Sequence, residues 1–154
     1  MILIRKMLPE DAKKASLLEK ECFSQPWSKE AFDRALKNPN AYYIVAEDSE
    51  NLQNEMIGMC GVLNVLGEGE ITNVAVKNMY RGQKIAQQML EELLTEGKKL
   101  GIKAFTLEVR SQNISAIHIY EKLGFFSVGI RKNFYNNPKE DALIMWKDRH
   151  LLEE

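Results

Sequence analysis

Glu108 is a carboxylate within a predicted strand, residues 103–110, whose centre is otherwise apolar. A carboxylate is costly to bury among apolar side chains unless it is paired. A carboxylate placed in this way is therefore a candidate general base. Two structural alternatives stay open: Glu108 lies on the solvent face of its strand, or it pairs with Arg110 or Arg131.

Tyr120 is a candidate proton donor, because it follows the strand of Glu108 on the inward side of a predicted helix. It shares the helical spacing of Ile114, Ile117 and Leu123, so a core tyrosine is the structural alternative. A phenol ordinarily has a pKa of about 10, and a thiol one of about 8.5. The tyrosine can thus serve a reaction in which a thiolate leaves.

The segment 74–86 joins a strand to a long helix through a loop that contains Arg81, Gly82 and Lys84. The first N–H groups of a helix lack partners within the helix, and its dipole is positive there. Such a turn can bind an anion, for example a diphosphate. It contains neither the GxGxxG of dinucleotide sites nor the Gly-Lys-Ser/Thr of P-loops. An ordinary strand-to-helix turn is the alternative.

Composition excludes several other classes of protein. The net charge is −1, from 21 basic and 22 acidic residues, so nothing in the bulk charge favours nucleic acid or an anionic membrane. Residues 56–67, the longest uncharged stretch, fall short of the roughly 20 residues that span a bilayer. The two cysteines and two histidines are isolated, which predicts reduced thiols and no metal site. With no signal peptide expected, these features predict a cytoplasmic protein.

Hydrophobic periodicity predicts one α/β (α+β) domain over residues 1–154, in which about four helices flank a mixed, mostly antiparallel sheet of six to seven strands. The passage from a strand to a helix and on to another strand between residues 70 and 110 requires a crossover, and therefore one parallel pair. A tight turn is predicted at residues 67–69. Strands are predicted at 2–7, 42–46, 56–66, 70–76, 103–110, 125–130 and 142–146, and helices at 9–22, 28–36, 81–100 and 113–123.

Taken together, these features resemble the GNAT superfamily of N-acetyltransferases, and within it the bacterial ribosomal-protein-alanine N-acetyltransferases of the RimI type. The resemblance covers nearly the whole chain. It is carried by Phe-Ser-Gln-Pro-Trp-Ser (23–28), Gly-Glu-Ile-Thr-Asn-Val-Ala-Val (69–76), Thr-Leu-Glu-Val-Arg (106–110), Asn113, Ala116, Ile117, Tyr-Glu-Lys-Leu-Gly-Phe (120–125), Ile-Arg-Lys-Asn-Phe-Tyr (130–135) and Glu-Asp-Ala (140–142).

The resemblance implies a role for each candidate. Glu108 is the proton acceptor and Tyr120 the proton donor, and no metal takes part. The resemblance also implies three groups of acetyl-CoA-binding residues. The backbone of Val74, Ala75 and Val76 holds the acetyl and pantetheine part, and Asn113 contacts the pantetheine arm. The diphosphate loop comprises Arg81, Gly82, Gln83, Lys84, Ile85, Ala86 and Gln87.

The implied reaction is acetyl transfer from acetyl-CoA to the N-terminal α-amine of a ribosomal protein that begins with alanine, with no membrane or direct nucleic-acid partner. Two alternatives stay open: an acetyltransferase for a small amine or a lysine side chain, and a non-enzymatic acyl-CoA-binding scaffold. The scaffold is considered because Lys84 occupies the middle glycine position of the family's diphosphate loop. A side chain there crowds the diphosphate or forces a strained φ, so we expect weakened cofactor binding. The sequence leaves the acceptor amine and the oligomeric state open.

Overall fold

The computed structural model describes residues 1–153, which form seven strands and four α-helices, with short 3-10 turns between some of them. None of the helices in this range is long and apolar enough to cross a membrane. The strands are β1 (Ile2–Lys6), β2 (Ala41–Asp48), β3 (Gly58–Val65), β4 (Glu68–Val76), β5 (Ala104–Arg110), β6 (Phe126–Tyr135) and β7 (Glu140–Lys147). The helices are α1 (Ala12–Cys22), α2 (Lys29–Lys37), α3 (Ile85–Lys99) and α4 (Ile114–Lys122).

The strands form one sheet in the order β1-β2-β3-β4-β5-β7-β6. Neighbouring strands are antiparallel except β4 and β5, which α3 connects as a parallel pair. This confirms the predicted mixed, mostly antiparallel sheet with four helices and a crossover between residues 70 and 110.

Each face of the sheet has its own core, because successive strand residues point to opposite faces. On the first face, Ile44 of β2 and Phe105 of β5 belong to the core that contains α3 and Tyr120 of α4. On the second face, Val45 of β2 belongs to the core with Leu18 of α1 and Phe32 of α2. The sheet therefore separates α3 and α4 from α1 and α2.

Three predicted boundaries were wrong, each for a local reason. The long helix begins at Ile85 rather than Arg81, because Gly82 (φ 81°) and Lys84 (φ 63°) lie in the left-handed region. The hairpin turn predicted at residues 67–69 consists of Leu66 and Gly67, which both have positive φ, so β4 already begins at Glu68. β6 continues to Tyr135 through the segment between the predicted strands 125–130 and 142–146, because Tyr135 pairs with Glu140 of β7 after an irregularity in the register that follows Arg131.

Gly97 lets α3 lie close to the sheet. A Cβ at this position would stand 2.9 Å from Cε1 of Phe105, a residue that is completely buried. Overpacking typically costs about 1–3 kcal/mol, whereas alanine gains only about 1 kcal/mol of helix propensity over glycine. We therefore expect Gly97→Ala to lower the free energy of unfolding, as measured by urea titration. Thr95→Ala, an exposed site on the same helix, is the control and is expected to be within about 0.5 kcal/mol of the wild type. If Gly97→Ala proved as stable as the wild type, this packing would be contradicted.

Candidate active site

A crevice opens within the sheet where β4 and β5 diverge. The two strands pair only between residues 68–70 of β4 and 104–106 of β5. Beyond that point β4 remains paired with β3 and β5 remains paired with β7. The facing edges of β4 and β5 thus carry backbone N–H and C=O groups without strand partners, and such groups need hydrogen bonds when they are covered. A ligand that contains amides can supply them.

A β-bulge shapes the β4 side of the crevice. Met59 of β3 pairs with Ala75, but Gly61 pairs with Thr72, so Asn73 and Val74 together lie opposite the single residue Cys60. Asn73 has φ 58°, a left-handed conformation that asparagine tolerates better than most residues. A bulge of this kind bends a strand and redirects its polar groups. The residues predicted to hold the thioester, Val74 to Val76, begin at this bulge.

The N-terminus of α3 lacks a side-chain cap. Lys84 occupies the N-cap position and has no acceptor atom in its side chain. The first hydrogen bond of the helix runs from Gln88 N–H to the Lys84 carbonyl at 3.1 Å, so the three preceding N–H groups have no partner within the helix. By contrast, Ser28 caps α2 and Asn113 caps α4. The exposed loop 81–84 and the first turn of α3 therefore present unpaired donors to an anion.

Two of the hydrogen-bond donors of Arg81 are used within the protein. Its Nε donates to the Val76 carbonyl at 3.1 Å, and its backbone N–H donates to the Asn78 carbonyl at 3.2 Å. The residue thus ties the loop to the end of β4, and the N–H donors available to a diphosphate belong to residues 82–87.

Glu108 lies beside the crevice on the face of the sheet opposite α3. Leu107 and Val109 belong to the first core, so strand alternation places Glu108 on the other face. Its Oε1 is 3.8 Å from Nη2 of Arg131, too far for a hydrogen bond. Its Oε2 is buried without a hydrogen-bond partner within residues 1–153. Arg110, the other arginine considered, pairs with Glu140 instead. The carboxylate therefore has an acceptor atom free for a proton.

Tyr120 is buried on the opposite face, where only 6% of its surface is exposed. Its ring centroid is 6.0 Å from that of Phe125. Burial, and to a lesser extent Cys60 opposite the bulge, raise the pKa of Tyr120 above its ordinary value. The phenol thus keeps its proton at neutral pH and has a proton to donate. Glu108 and Tyr120 approach the crevice from different faces of the sheet.

Asn113 has only its amide NH₂ available for a ligand. Its Oδ1 already accepts from the backbone N–H of Ala116 at 3.3 Å and from Ser115 Oγ at 3.3 Å. A contact with the pantetheine arm, as the resemblance implies, must therefore be made to a carbonyl oxygen.

The sequence interpretation gave no separate role to Tyr135, the last residue of β6, which lies near enough to Glu108 for the carboxylate charge to affect it. Burial and the Glu108 carboxylate raise the pKa of Tyr135 to about 12. The Arg110 guanidinium lies 4.6 Å from the Tyr135 ring centroid and donates to the carbonyls of Asn136 and Pro138. The signal available in the sequence was an aromatic residue in the segment between the predicted strands 125–130 and 142–146, shortly after the basic residues Arg131 and Lys132.

Glu19 was also missed. This α1 residue is 2% exposed, and its carboxylate accepts from the Trp27 backbone N–H at 3.0 Å and from Nδ2 of Asn73 at 3.3 Å. Burial raises the pKa of Glu19. Its position four residues after Ala15, on the inward side of α1, was the signal that a carboxylate is buried there.

Comparison with known proteins decides the family. The sequence profile of the acetyltransferase (GNAT) family matches residues 13–125. The chain belongs to the GNAT family of acetyltransferases. It is an N-acetyltransferase that uses acetyl-CoA, as the sequence predicted.

Individual relatives agree with this assignment. A Bacillus subtilis protein is 38% identical over 144 residues, which are 93% of this chain and 93% of that protein. The ribosomal protein bS18-alanine N-acetyltransferase of Escherichia coli K12 is 34% identical over 130 residues, 83% of this chain and 84% of that enzyme. The crystal structure of the Escherichia coli ribosomal-protein-S18-alanine N-acetyltransferase superimposes with a TM-score of 0.84 at 30% identity, covering 96% of this chain and 93% of that one.

We expect Lys84 to weaken acetyl-CoA binding through the strained backbone of the diphosphate loop, and we expect its positive charge to contribute little to that binding. A left-handed φ costs a residue with a Cβ roughly 1–2 kcal/mol, and glycine avoids this cost. An exposed lysine ammonium is screened by salt and costly to fix. Lys84→Gly is therefore expected to bind acetyl-CoA as tightly as the wild type or more tightly in calorimetric titrations at low and high salt.

Lys84→Ala is the matched control, because it removes the charge and keeps the Cβ. It is expected to bind no more tightly than the wild type. If Lys84→Gly bound at least about tenfold more weakly at low salt, and the difference vanished at high salt, the ammonium would be a phosphate ligand and the steric argument would be wrong.

Proposed function

We propose that this enzyme transfers the acetyl group of acetyl-CoA to the α-amine of the N-terminal alanine of ribosomal protein bS18. The observation that carries the proposal is the crevice between β4 and β5, which has an uncapped helix N-terminus near one end and the free Oε2 of Glu108 beside it. The names of the relatives described above support the choice of acceptor. Such a substrate places the reaction in the cytoplasm.

Acetyl-CoA binds along the crevice on the α3 side. Its diphosphate accepts from the unpaired N–H groups at residues 82–87, where the helix dipole also favours negative charge. The amides of the pantetheine arm pair with the free edge of residues 74–76, and Asn113 donates its NH₂ to a pantetheine carbonyl. The cofactor thus completes a strand pairing that the protein leaves open.

Glu108 is the proton acceptor for the attacking amine. An α-amine with a pKa of about 8 is already partly neutral at pH 7, unlike a lysine amine at about 10.4. The neutral amine nitrogen forms its bond with the thioester carbon and becomes positively charged. The Oε2 atom of Glu108 accepts the proton that the nitrogen then loses, directly or through a water molecule. An α-amine is therefore the preferred acceptor, because a larger fraction of it than of a lysine amine is already neutral at pH 7.

The bulge and Tyr120 stabilise the charges that develop next. The thioester oxygen becomes negative in the tetrahedral intermediate, and a backbone N–H near Val74 donates to it. When the C–S bond breaks, the electron pair goes to sulfur, and the Tyr120 hydroxyl donates its proton to the thiolate. Burial raises the pKa of the Tyr120 phenol, and burial in the same site raises the pKa of a thiol as well. Because both pKa values move in the same direction, desolvation does not by itself prevent proton transfer from the phenol to the thiolate.

A peptide panel tests the acceptor. The N-terminal segment of bS18 is compared with the same peptide carrying other first residues, and with an N-terminally blocked peptide that contains an internal lysine. We expect thiol release from acetyl-CoA to be fastest with the free N-terminal alanine. Faster acetylation of the blocked lysine peptide, or of small amines, would identify a different acceptor.

Glu108→Gln removes the proton acceptor and preserves the shape of the side chain. We expect kcat to fall by about 10²–10⁴-fold, the usual effect of losing a positioned base, while acetyl-CoA binding is retained. Steady-state kinetics with the alanine peptide, together with calorimetric binding of acetyl-CoA, measure the two effects. An unchanged kcat at neutral pH would remove Glu108 from the mechanism.

Tyr120→Phe removes the hydroxyl that meets the leaving thiolate. Because the hydroxyl acts only when the C–S bond breaks, we expect kcat to fall and the KM of the peptide to stay nearly unchanged. Thermal unfolding of the same variant is the control for the packing of the ring against Phe125. A variant that is less stable but turns over normally would make Tyr120 a core residue only.

A further inference from the structure

Glu19 is a buried carboxylate on the side of α1 that faces the sheet. Its carboxylate accepts hydrogen bonds from two neutral donors, the Trp27 N–H and the Asn73 NH₂, rather than from a cation. Moving a carboxylate out of water is expensive unless it is well compensated. The other buried carboxylate on this side of the sheet, Asp11, is paired with the guanidinium of Arg5. Glu19 therefore receives less compensation than Asp11 for the same burial.

The two donors connect Glu19 to two different walls of the site. Asn73 is the left-handed residue of the β4 bulge, directly before the residues that hold the thioester. Trp27 lies in the segment between α1 and α2, and Ser24 of the same segment contacts the Asn136 carbonyl of the β6–β7 turn. One carboxylate thus joins the β4 bulge to the segment between α1 and α2. The two helices lie on the same face of the sheet as Glu108, which makes this segment the acceptor side in the proposed reaction.

Glu19 determines the orientation of the Asn73 side-chain amide. A carboxylate only accepts hydrogen bonds, so the asparagine must turn its NH₂ towards Glu19. The consequence is that Oδ1 of Asn73 is buried without a hydrogen-bond partner among the described residues. An unsatisfied buried acceptor destabilises a fold, so this orientation depends on the bond to Glu19.

We propose that Glu19 is a positioning residue for acetyl transfer: through Asn73 it fixes the β4 bulge against the thioester, and through the Trp27 N–H it fixes the acceptor-side segment relative to that bulge. The proposal rests on the acetyl-transfer function proposed above. Glu19 touches neither acetyl-CoA nor the amine. Its effect is on the distance and angle between them, and a misplacement of about 1 Å costs as much as 10²-fold in rate.

The test is a double-mutant cycle on kcat. Glu19→Ala and Asn73→Gly, which keeps the left-handed φ without the amide, are each expected to lower kcat by about 10–100-fold with acetyl-CoA affinity unchanged. Because Asn73 carries one of the two contacts of Glu19 and the Trp27 N–H carries the other, the double variant should lose more than Asn73→Gly alone but less than the product of the two single losses. Glu19→Gln retains one acceptor oxygen, and it should restore most of the kcat lost in Glu19→Ala.

Asp11→Asn is the matched control, since it neutralises a buried carboxylate next to the same helix whose hydrogen-bond partners are Arg5 and the Leu8 N–H rather than the bulge. It is expected to lower stability and leave kcat unchanged. Equal losses of kcat in Asp11→Asn and Glu19→Ala, fully multiplicative losses in the cycle, or an unchanged kcat in Asn73→Gly would each overturn the proposal. If Glu19→Ala does not fold, Asn73→Gly and Glu19→Gln still decide it.

Amide hydrogen exchange separates this proposal from the proposed function. Exchange at residues 73–75 and at the Trp27 N–H is expected to become faster in Glu19→Gln and faster still in Glu19→Ala, and to stay unchanged in Asp11→Asn. These measurements need no substrate. Faster exchange in an enzyme that does not acetylate the alanine peptide would refute the acceptor and preserve the positioning role, whereas unchanged exchange would refute the positioning role.

Discussion

The divergence of β4 from β5 after three paired residues is the constraint on which the site depends. Parallel strands normally continue their ladder, since unpaired backbone groups are costly when they are covered. Here each strand is kept in place from its other side, β4 by β3 and β5 by β7. The sheet therefore stays intact while a slot with free hydrogen-bonding edges opens in its middle. The helix N-terminus and both candidate proton-transfer residues are arranged around this slot.

Several buried polar groups are concentrated around the same opening. Glu108 and Asn73, on the two diverging strands, carry the buried side-chain oxygens that lack partners within residues 1–153. The buried carboxylate of Asp11, by contrast, is paired with the Arg5 guanidinium. Buried polar atoms without hydrogen-bond partners destabilise a fold, and in native proteins such atoms often have a functional role. Their position on the two strands that bound the crevice is consistent with the proposed chemistry there.

The order of strands and helices could be predicted because it depends on local periodicity. Glu108 and Tyr120 could be singled out since a carboxylate in an apolar strand and a phenol on an apolar helix stripe are visible in one dimension. Two of the three wrong boundaries involve positive φ at Leu66, Gly82 and Lys84, which hydrophobic periodicity does not encode, and the third depends on the pairing of β6 with β7. Glu19 and Tyr135 were missed because their roles arise from contacts with Asn73 and Glu108, which are distant in sequence and meet only in the folded sheet.

The placement of Glu108 and Tyr120 on opposite faces also bears on the kinetic order of the enzyme. In the proposed reaction the thioester lies on the α3 side of the sheet and the amine meets Glu108 on the other face, so neither substrate would have to leave before the other enters. A ternary complex can form, in which the amine attacks acetyl-CoA directly. The enzyme then has no need of an acetylated side chain as an intermediate, and its two products can depart through separate openings.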